Sequence, residues 1–242
     1  MYSTSQILIL SMLGPILGSL IGVWKKPSDA FMYNMLAFAA GVMLSISFLQ
    51  LIPQSIAISS PMTTIIGITI GTLLMYAMDK LIPHIHPQLN AQEQGKNLER
   101  TATLLIIGIF LHNLPEGMAM AIGAVTDAKT GVIVALAIMA QDIPEGICTS
   151  APYYMATNNK LKAFMISAST AIPTIIGFFI ANQIFQSISN NAIGIITAST
   201  AGIMVYICVD ELIPTSCGKT ESHSVIFSLL AGIIFVILLM AI

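Results

Sequence analysis

The chain has 242 residues, of which 56% are hydrophobic and 8% are charged, and its formal net charge is −2. Soluble domains carry about 25% charged residues, so nine basic and eleven acidic side chains cannot cover a water-facing surface of this size. The composition therefore excludes a soluble enzyme and a disordered protein, and the small net charge argues against a nucleic-acid partner. Three cysteines, Cys148, Cys208 and Cys217, form no CxxC pair and no even disulfide set. The sequence predicts an integral membrane protein.

Eight apolar stretches approach or exceed the roughly 20 residues that a helix needs to cross a bilayer. They predict an all-α membrane protein in which residues 1–242 form one transmembrane domain. The longest connection, about residues 81–100, is the one markedly polar stretch and is predicted to be a loop. The predicted spans are Gln6–Trp24, Ala30–Leu51, Thr63–Met78, Thr101–Val125, Gly131–Ala151, Ala163–Ala181, Ile193–Ile213 and Ser224–Ile242.

The basic residues predict the orientation of the chain. The connections after the odd-numbered predicted helices hold Lys and Arg at eight positions, whereas those on the other side hold only Lys129. Because cytoplasmic loops are enriched in Lys and Arg, this asymmetry places the odd-numbered loops in the cytoplasm and both termini outside. We therefore expect a multi-pass protein of the plasma or inner membrane. The eight positions are Lys25, Lys26, Lys80, Lys96, Arg100, Lys160, Lys162 and Lys219.

An internal repeat relates the predicted second and seventh helices. Ala37–Ser55 matches Ala198–Ser216 without a gap at an offset of 161, and nine of nineteen positions are identical. Since these helices cross the membrane in opposite directions, the match predicts inverted three-helix repeats in a 3+2+3 arrangement of eight helices. Chance similarity between apolar segments is the alternative, although the shared Gly and Pro argue against it.

The predicted fourth and fifth helices carry a second repeat, HNLPEG beginning at His112 and QDIPEG beginning at Gln141. In each segment a polar side chain precedes a glutamate by four residues, so His112 shares a helix face with Glu116, and Gln141 with Glu145. The proline and glycine after these polar residues predict a helix distortion and a close approach of neighbouring backbones.

All of these groups fall near the middle of their spans, together with Asn113 and Asp142 on the neighbouring face. Three carboxylates and one imidazole are costly there without a counter-charge, and a metal cation supplies one. Imidazole and carboxylate suit Zn²⁺, and also Fe²⁺, Mn²⁺ or Cd²⁺. The alternative is that the carboxylates are protonated and hydrogen-bonded within the bundle.

One four-ligand site could use His112, Glu116, Gln141 and Glu145. A second site beside it could use Asn113 and Asp142, with the two glutamates shared as bridges. In this interpretation the metal is cargo, and no prosthetic group is expected.

The chain resembles the ZIP (Zrt/Irt-like) family of divalent-metal transporters, and its GufA-like bacterial branch in particular. The resemblance covers essentially the whole chain and includes the paired PEG motifs, AAGVML in helix two, DKLIPHIHP after helix three and DELIP in helix seven. It implies metal uptake into the cytoplasm by alternating access, with one helix group sliding against another, and assembly as a homodimer.

Carried over by position, the resemblance assigns the primary site to His112, Glu116, Gln141 and Glu145. It assigns the adjoining site to Asn113 and Asp142. One departure concerns this second site, because related proteins often have an acidic residue before the helix-six proline. This chain has Ile172 before Pro173. The second site is therefore either weaker here or completed by another residue.

Further potential ligands lie near the membrane faces. A group at the predicted cytoplasmic face indicates a release path, which the resemblance supports, and clustered acids there would attract cations. Gln50, the repeat counterpart of Glu211, is placed near the outer mouth by the resemblance. Ordinary interfacial polarity is the alternative for His84 and His86, since both lie in a loop. The cytoplasmic group is Asp79, His84, His86, Asp210 and Glu211.

The sequence thus predicts an uptake transporter for a divalent transition metal, zinc foremost, and not an enzyme. Two alternatives have different chemistry. An intramembrane metal-dependent hydrolase needs an open coordination position and an activated water, but HExxH is absent and the predicted spans hold one histidine. A metal-selective channel must release its ion quickly, which a site with several carboxylates opposes.

Overall fold

The computed structural model describes residues 4–24, 27–81, 113–124, 128–185, 187–217 and 223–241, and every regular element among them is a helix. Seven of these helices are long and apolar enough to cross a membrane, which agrees with the prediction of an all-α membrane protein. Most of the predicted fourth span lies outside the described residues. The helices are α1 (Thr4–Trp24), α2 (Asp29–Ile58), α3 (Pro61–Leu81), α4 (113–124), α5 (Ala128–Thr157), α6 (Lys160–Ile184), α7 (Asn190–Cys217) and α8 (His223–Ala241).

Two prolines lie inside α5 without ending it. The predicted span stops at Ala151, but α5 continues to Thr157 through Pro144 and Pro152. Proline removes one backbone donor and would break an isolated helix. Within a membrane bundle, neighbouring helices and hydroxyl side chains can satisfy the freed carbonyl groups, so the helix continues.

Helix α6 is broken where the sequence predicted one continuous span. Its two parts, Lys160–Ala168 and Ala171–Ile184, are separated by Ser169 and Thr170. In a continuous helix Pro173 could not donate a backbone hydrogen bond to the Ser169 carbonyl, and its ring would clash with that carbonyl. The break leaves the Thr170 carbonyl available to a neighbouring helix.

Both α2 and α7 contain a π-helical turn, at Ile46–Leu51 and Cys208–Leu212 respectively. In each case the first amide after the turn donates to the carbonyl five residues earlier. Both helices then continue past a proline, Pro53 or Pro214, close to where the predicted spans end. The two turns occupy equivalent positions in the repeat, and such turns are frequent at functional sites.

Close backbone contacts join α2 to α8. A Cβ atom at Gly41 would clash with the Leu229 carbonyl oxygen, and one at Gly232 would clash with the Phe38 carbonyl oxygen. Small residues permit this approach, which gives van der Waals packing between membrane helices in place of a hydrophobic driving force.

The contact between α3 and α7 reproduces this arrangement residue for residue. A Cβ atom at Gly202 would clash with the Ile68 carbonyl oxygen, and one at Gly71 would clash with that of Ser199. Every member of this contact is 161 positions from its counterpart in the α2–α8 contact, the same offset that relates the sequence repeat. The repeat therefore extends from sequence to helix packing.

Packing divides the helices into two groups. In the first group α1 packs along α5 and contacts α6, and a cluster of buried hydroxyls from Ser19, Thr149 and Ser167 joins all three helices. Helix α4 joins this group through Gly177 of α6, where a Cβ would clash with the Leu114 carbonyl oxygen. The second group comprises α2, α3, α7 and α8. The two groups meet where α2 and α8 contact α5.

Replacing Gly41 with alanine should destabilise the protein. The added methyl must displace the α8 backbone, and overpacking of this kind costs about 1–3 kcal/mol. A matched control is Gly123→Ala, whose nearest neighbour is the Val134 Cγ2 atom at 3.2 Å, so a shift of this side chain accommodates the methyl. Thermal unfolding in detergent should show a lower midpoint for Gly41→Ala and a smaller change for Gly123→Ala. Equal midpoints for the two variants would contradict the close contact.

Candidate metal centre

The Pro-Glu-Gly segments of α4 and α5 bring their glycines against neighbouring helices. A Cβ at Gly117 would clash with the Thr174 carbonyl oxygen of α6. A Cβ at Gly146 would lie 2.8 Å from the Pro15 carbonyl oxygen of α1. Each glycine follows a glutamate directly, so these contacts fix the backbone that carries Glu116 and Glu145.

Three carboxylates converge between α4 and α5. One ligand atom from each of Glu116, Asp142 and Glu145 lies within 4.8 Å of the other two. Glu116 and Asp142 are almost completely buried, and Glu145 is 6% exposed. Like charges this close in a low-dielectric interior repel strongly, and each ionised group also loses hydration on burial. A cation bound among them would offset both costs.

Two amide side chains orient the surroundings of this cluster. The Gln141 amide of α5 donates to Glu116 Oε1 of α4, so it links the two Pro-Glu-Gly helices directly. The Asn113 amide donates to the Thr170 carbonyl oxygen at the break in α6, at 2.7 Å. In both side chains the amide nitrogen donates a hydrogen bond to another helix, and the amide oxygen has no hydrogen-bond partner among the described residues.

Several buried oxygens here have no hydrogen-bond partner within the described part of the chain. Each belongs to a residue that is at least nine-tenths buried. Buried polar atoms are normally satisfied, so a group of unsatisfied oxygens needs an explanation, and a bound ion is one. The atoms are Asn113 Oδ1, Glu116 Oε2, Gln141 Oε1, Asp142 Oδ1, Asp142 Oδ2 and Glu145 Oε2.

The remaining predicted site residues fall into two classes. His112, His84 and His86 lie outside the described residues. The predicted path residues that the structure describes are not members of the three-carboxylate cluster. Among these, Glu211 in the π-helical turn of α7 is close enough to Glu145 for their charges to interact. Gln50 lies in the equivalent turn of α2 and is partly exposed.

Sequence reasoning connected α6 with the second site through Pro173, but it missed the Thr170 main-chain carbonyl that accepts a hydrogen bond from Asn113. The Thr170 carbonyl binds Asn113, but a main-chain carbonyl has no signature of its own in a sequence. Pro173 was the available signal, because a proline within an apolar span indicates a distorted helix.

Comparison with known proteins places the chain in a family. The family model described as "ZIP Zinc transporter" matches residues 1–103 and 89–240. The chain is 35% identical over 233 residues to "Zinc transporter ZupT" of Escherichia coli O127:H6, which covers 93% of this chain and 90% of that protein. The protein of the same name from Escherichia coli strain K12 / DH10B is 34% identical over the same shares.

The match extends across the transmembrane helices and both Pro-Glu-Gly segments, which supply the carboxylate cluster. The relatives are transporters and not enzymes, which removes the hydrolase alternative. The chain belongs to the ZIP family of metal transporters.

Proposed function

We propose that this protein carries a divalent transition metal, zinc foremost, across the inner membrane into the cytoplasm. The main observation in support is the buried cluster of Glu116, Asp142 and Glu145, whose oxygens include several without a hydrogen-bond partner among the described residues. Such a cluster is stable at mid-membrane only with a bound cation or bound protons. The zinc named for the relatives supports zinc as the cargo; Fe²⁺, Mn²⁺ and Cd²⁺ suit the same ligands.

The proposed primary ligands are His112, Glu116, Gln141 and Glu145. His112 precedes Glu116 by one helical turn in the sequence, the same spacing as Gln141 and Glu145. Because the Gln141 nitrogen donates to Glu116, the Gln141 oxygen can face the ion. One imidazole and three oxygen ligands suit tetrahedral Zn²⁺.

An adjoining metal position is proposed at Asn113 and Asp142. Both carboxylate oxygens of Asp142 and the amide oxygen of Asn113 have no hydrogen-bond partner among the described residues. Glu116 and Glu145 would bridge this position and the primary one.

For the whole chain we propose a single domain of eight helices in a 3+2+3 arrangement. The matched contacts of α2 with α8 and of α3 with α7 support inverted repeats. The two packing groups suggest how alternating access works: α1, α4, α5 and α6 carry the metal and shift against α2, α3, α7 and α8. The family resemblance extends the proposal to a homodimer in the bilayer.

Metal enters past Gln50 in the proposed path and leaves through an acidic group at the cytoplasmic face. The interaction of Glu211 with Glu145 supports a transfer between these two carboxylates. Because Gln50 is neutral and its repeat counterpart Glu211 is acidic, the two ends of the path differ in charge. The proposed release residues are Asp79, His84, His86, Asp210 and Glu211.

Zinc influx into proteoliposomes that hold an indicator tests this function. Wild-type influx should saturate with Zn²⁺ concentration, as expected of a carrier and not of a channel. Glu145→Gln and His112→Ala should each reduce influx by at least about tenfold, since even indirect partners of metal ligands contribute 10–100-fold. Asp29→Asn, a neutralised and exposed carboxylate on α2, is the matched control and should transport normally. Unsaturable flux, or full activity of Glu145→Gln, would contradict the proposal.

The proposed orientation, with both termini outside, can be tested at a native cysteine. Cys217 at the end of α7 is exposed, whereas Cys148 and Cys208 are buried. A membrane-impermeant maleimide should label Cys217 in inside-out vesicles and not in intact cells. Cys217→Ser should abolish the signal. Labelling from outside in intact cells would reverse the topology.

A further inference from the structure

Three hydroxyl groups, one each from α1, α5 and α6, form a hydrogen-bonded chain inside the first helix group. Ser19 donates to Ser167 Oγ at 2.7 Å, and Ser167 Oγ is also hydrogen-bonded to the Thr149 hydroxyl. All three residues are completely buried. Small side chains allow membrane helices to approach, whereas directional hydrogen bonds also favour one relative placement. The chain therefore sets how these three helices lie against one another.

One end of this chain reaches the backbone that carries Glu145. Thr149 follows Glu145 by one helical turn, and its hydroxyl lies 2.9 Å from the Glu145 carbonyl oxygen. Ser167 Oγ lies 3.2 Å from the carbonyl oxygen of Gly146, the next residue. The serine of α6 is therefore bonded, both directly and through Thr149, to the turn of α5 that begins at this glutamate.

The main-chain carbonyl of Ser167 continues the connection toward α4. It accepts from the Thr170 hydroxyl at 2.7 Å and from the Thr170 amide at 3.1 Å, at the break in α6. The Thr170 carbonyl in turn accepts from the Asn113 amide of α4 at 2.7 Å. Ser167 thus connects the two helices that supply the carboxylate cluster, because its side chain bonds to α5 and its carbonyl leads to α4 through Thr170.

Ser150 shows what the same kind of hydroxyl does when it serves its own helix. It is completely buried, and it donates to the Gly146 carbonyl four residues earlier in α5, at 2.6 Å. This is the ordinary bond of a serine in a membrane helix. Both serines therefore contact one carbonyl, Ser150 from within α5 and Ser167 from α6. Their comparison separates the bond between helices from the mere presence of a buried hydroxyl.

We infer that Ser167 is a positioning residue for metal binding: it holds α5, with Glu145, in register with α6 and, through Thr170, with Asn113 of α4. The inference rests on the proposed function, since it concerns the ligands of the same centre. Ligands on separate helices bind an ion tightly only while the surrounding contacts keep them at the required spacing. Ser167 acts on that spacing through Thr149 and Thr170.

Equilibrium dialysis of the purified full-length protein against Zn²⁺ tests this inference. Ser167→Ala should raise the Kd for Zn²⁺ by about tenfold, the lower end of what indirect partners of metal ligands contribute. Thr149→Val, which removes the hydroxyl and keeps the branched shape, should have a similar effect. Because both changes cut one connection, the double variant should bind no more weakly than Ser167→Ala. Ser150→Ala is the matched control and should keep the wild-type Kd.

Thermal unfolding in chelator separates placement from stability. A single hydroxyl contact between membrane helices contributes little to stability, so Ser167→Ala and Ser150→Ala should have similar midpoints. A lower midpoint for Ser167→Ala with an unchanged Kd would show a structural role only and would overturn the inference. Thr149→Val decides the matter if Ser167→Ala does not fold.

The binding data distinguish this inference from the proposed function. Weaker Zn²⁺ binding in Ser167→Ala and Thr149→Val, but not in Ser150→Ala, supports the inference. A wild-type Kd in Thr149→Val, or an equal loss in Ser150→Ala, would overturn it and leave the proposed function standing. A wild-type protein that binds no Zn²⁺ would overturn both.

Discussion

The rest of this structure depends on three carboxylates held together away from water. Glu116, Asp142 and Glu145 lie within 4.8 Å of one another in the interior of a helical bundle. Repulsion and lost hydration both oppose this arrangement, so a cation or protons must compensate. Hydrogen bonds compensate little of this cost, because one oxygen of each glutamate and both oxygens of Asp142 have no hydrogen-bond partner among the described residues. A site that needs a cation to be stable also binds that cation readily.

Close backbone contacts at glycine residues hold the helices that carry these three carboxylates. Gly117 and Gly146 bring the backbones of α4 and α5 against α6 and α1, so each glutamate is anchored from outside the cluster. The second helix group has two such glycine contacts, α2 with α8 and α3 with α7, and the sequence repeat relates one to the other. Close backbone contacts therefore occur within both helix groups, and the π-helical turns of α2 and α7 belong to the second group.

Much of this centre could be predicted from the sequence because its candidate ligands recur at regular spacings along the chain. Each Pro-Glu-Gly segment has a polar residue four positions before its glutamate, which predicted Glu116 and Glu145 at one site with Asp142 beside them, and the structure brings these three together. The repeat could be recognised in the sequence because Gly41 and Gly202 lie at helix contacts that leave no room for a Cβ atom. The break in α6 and the π-helical turns were not predicted, since both depend on which backbone groups find partners in neighbouring helices. The hydrogen bond from Asn113 to the Thr170 carbonyl was missed for the same reason.

The central claim is that a divalent cation offsets the buried negative charge, and unfolding in detergent tests it most directly. Wild type and the neutral variant Glu116→Gln/Asp142→Asn/Glu145→Gln would be unfolded in chelator and then with Zn²⁺. We expect Zn²⁺ to stabilise wild type, by about 2.7 kcal/mol at a concentration one hundred times Kd. The neutral variant should be at least as stable as wild type in chelator and insensitive to Zn²⁺. Equal stabilisation of both proteins by Zn²⁺, or none of wild type, would contradict the account.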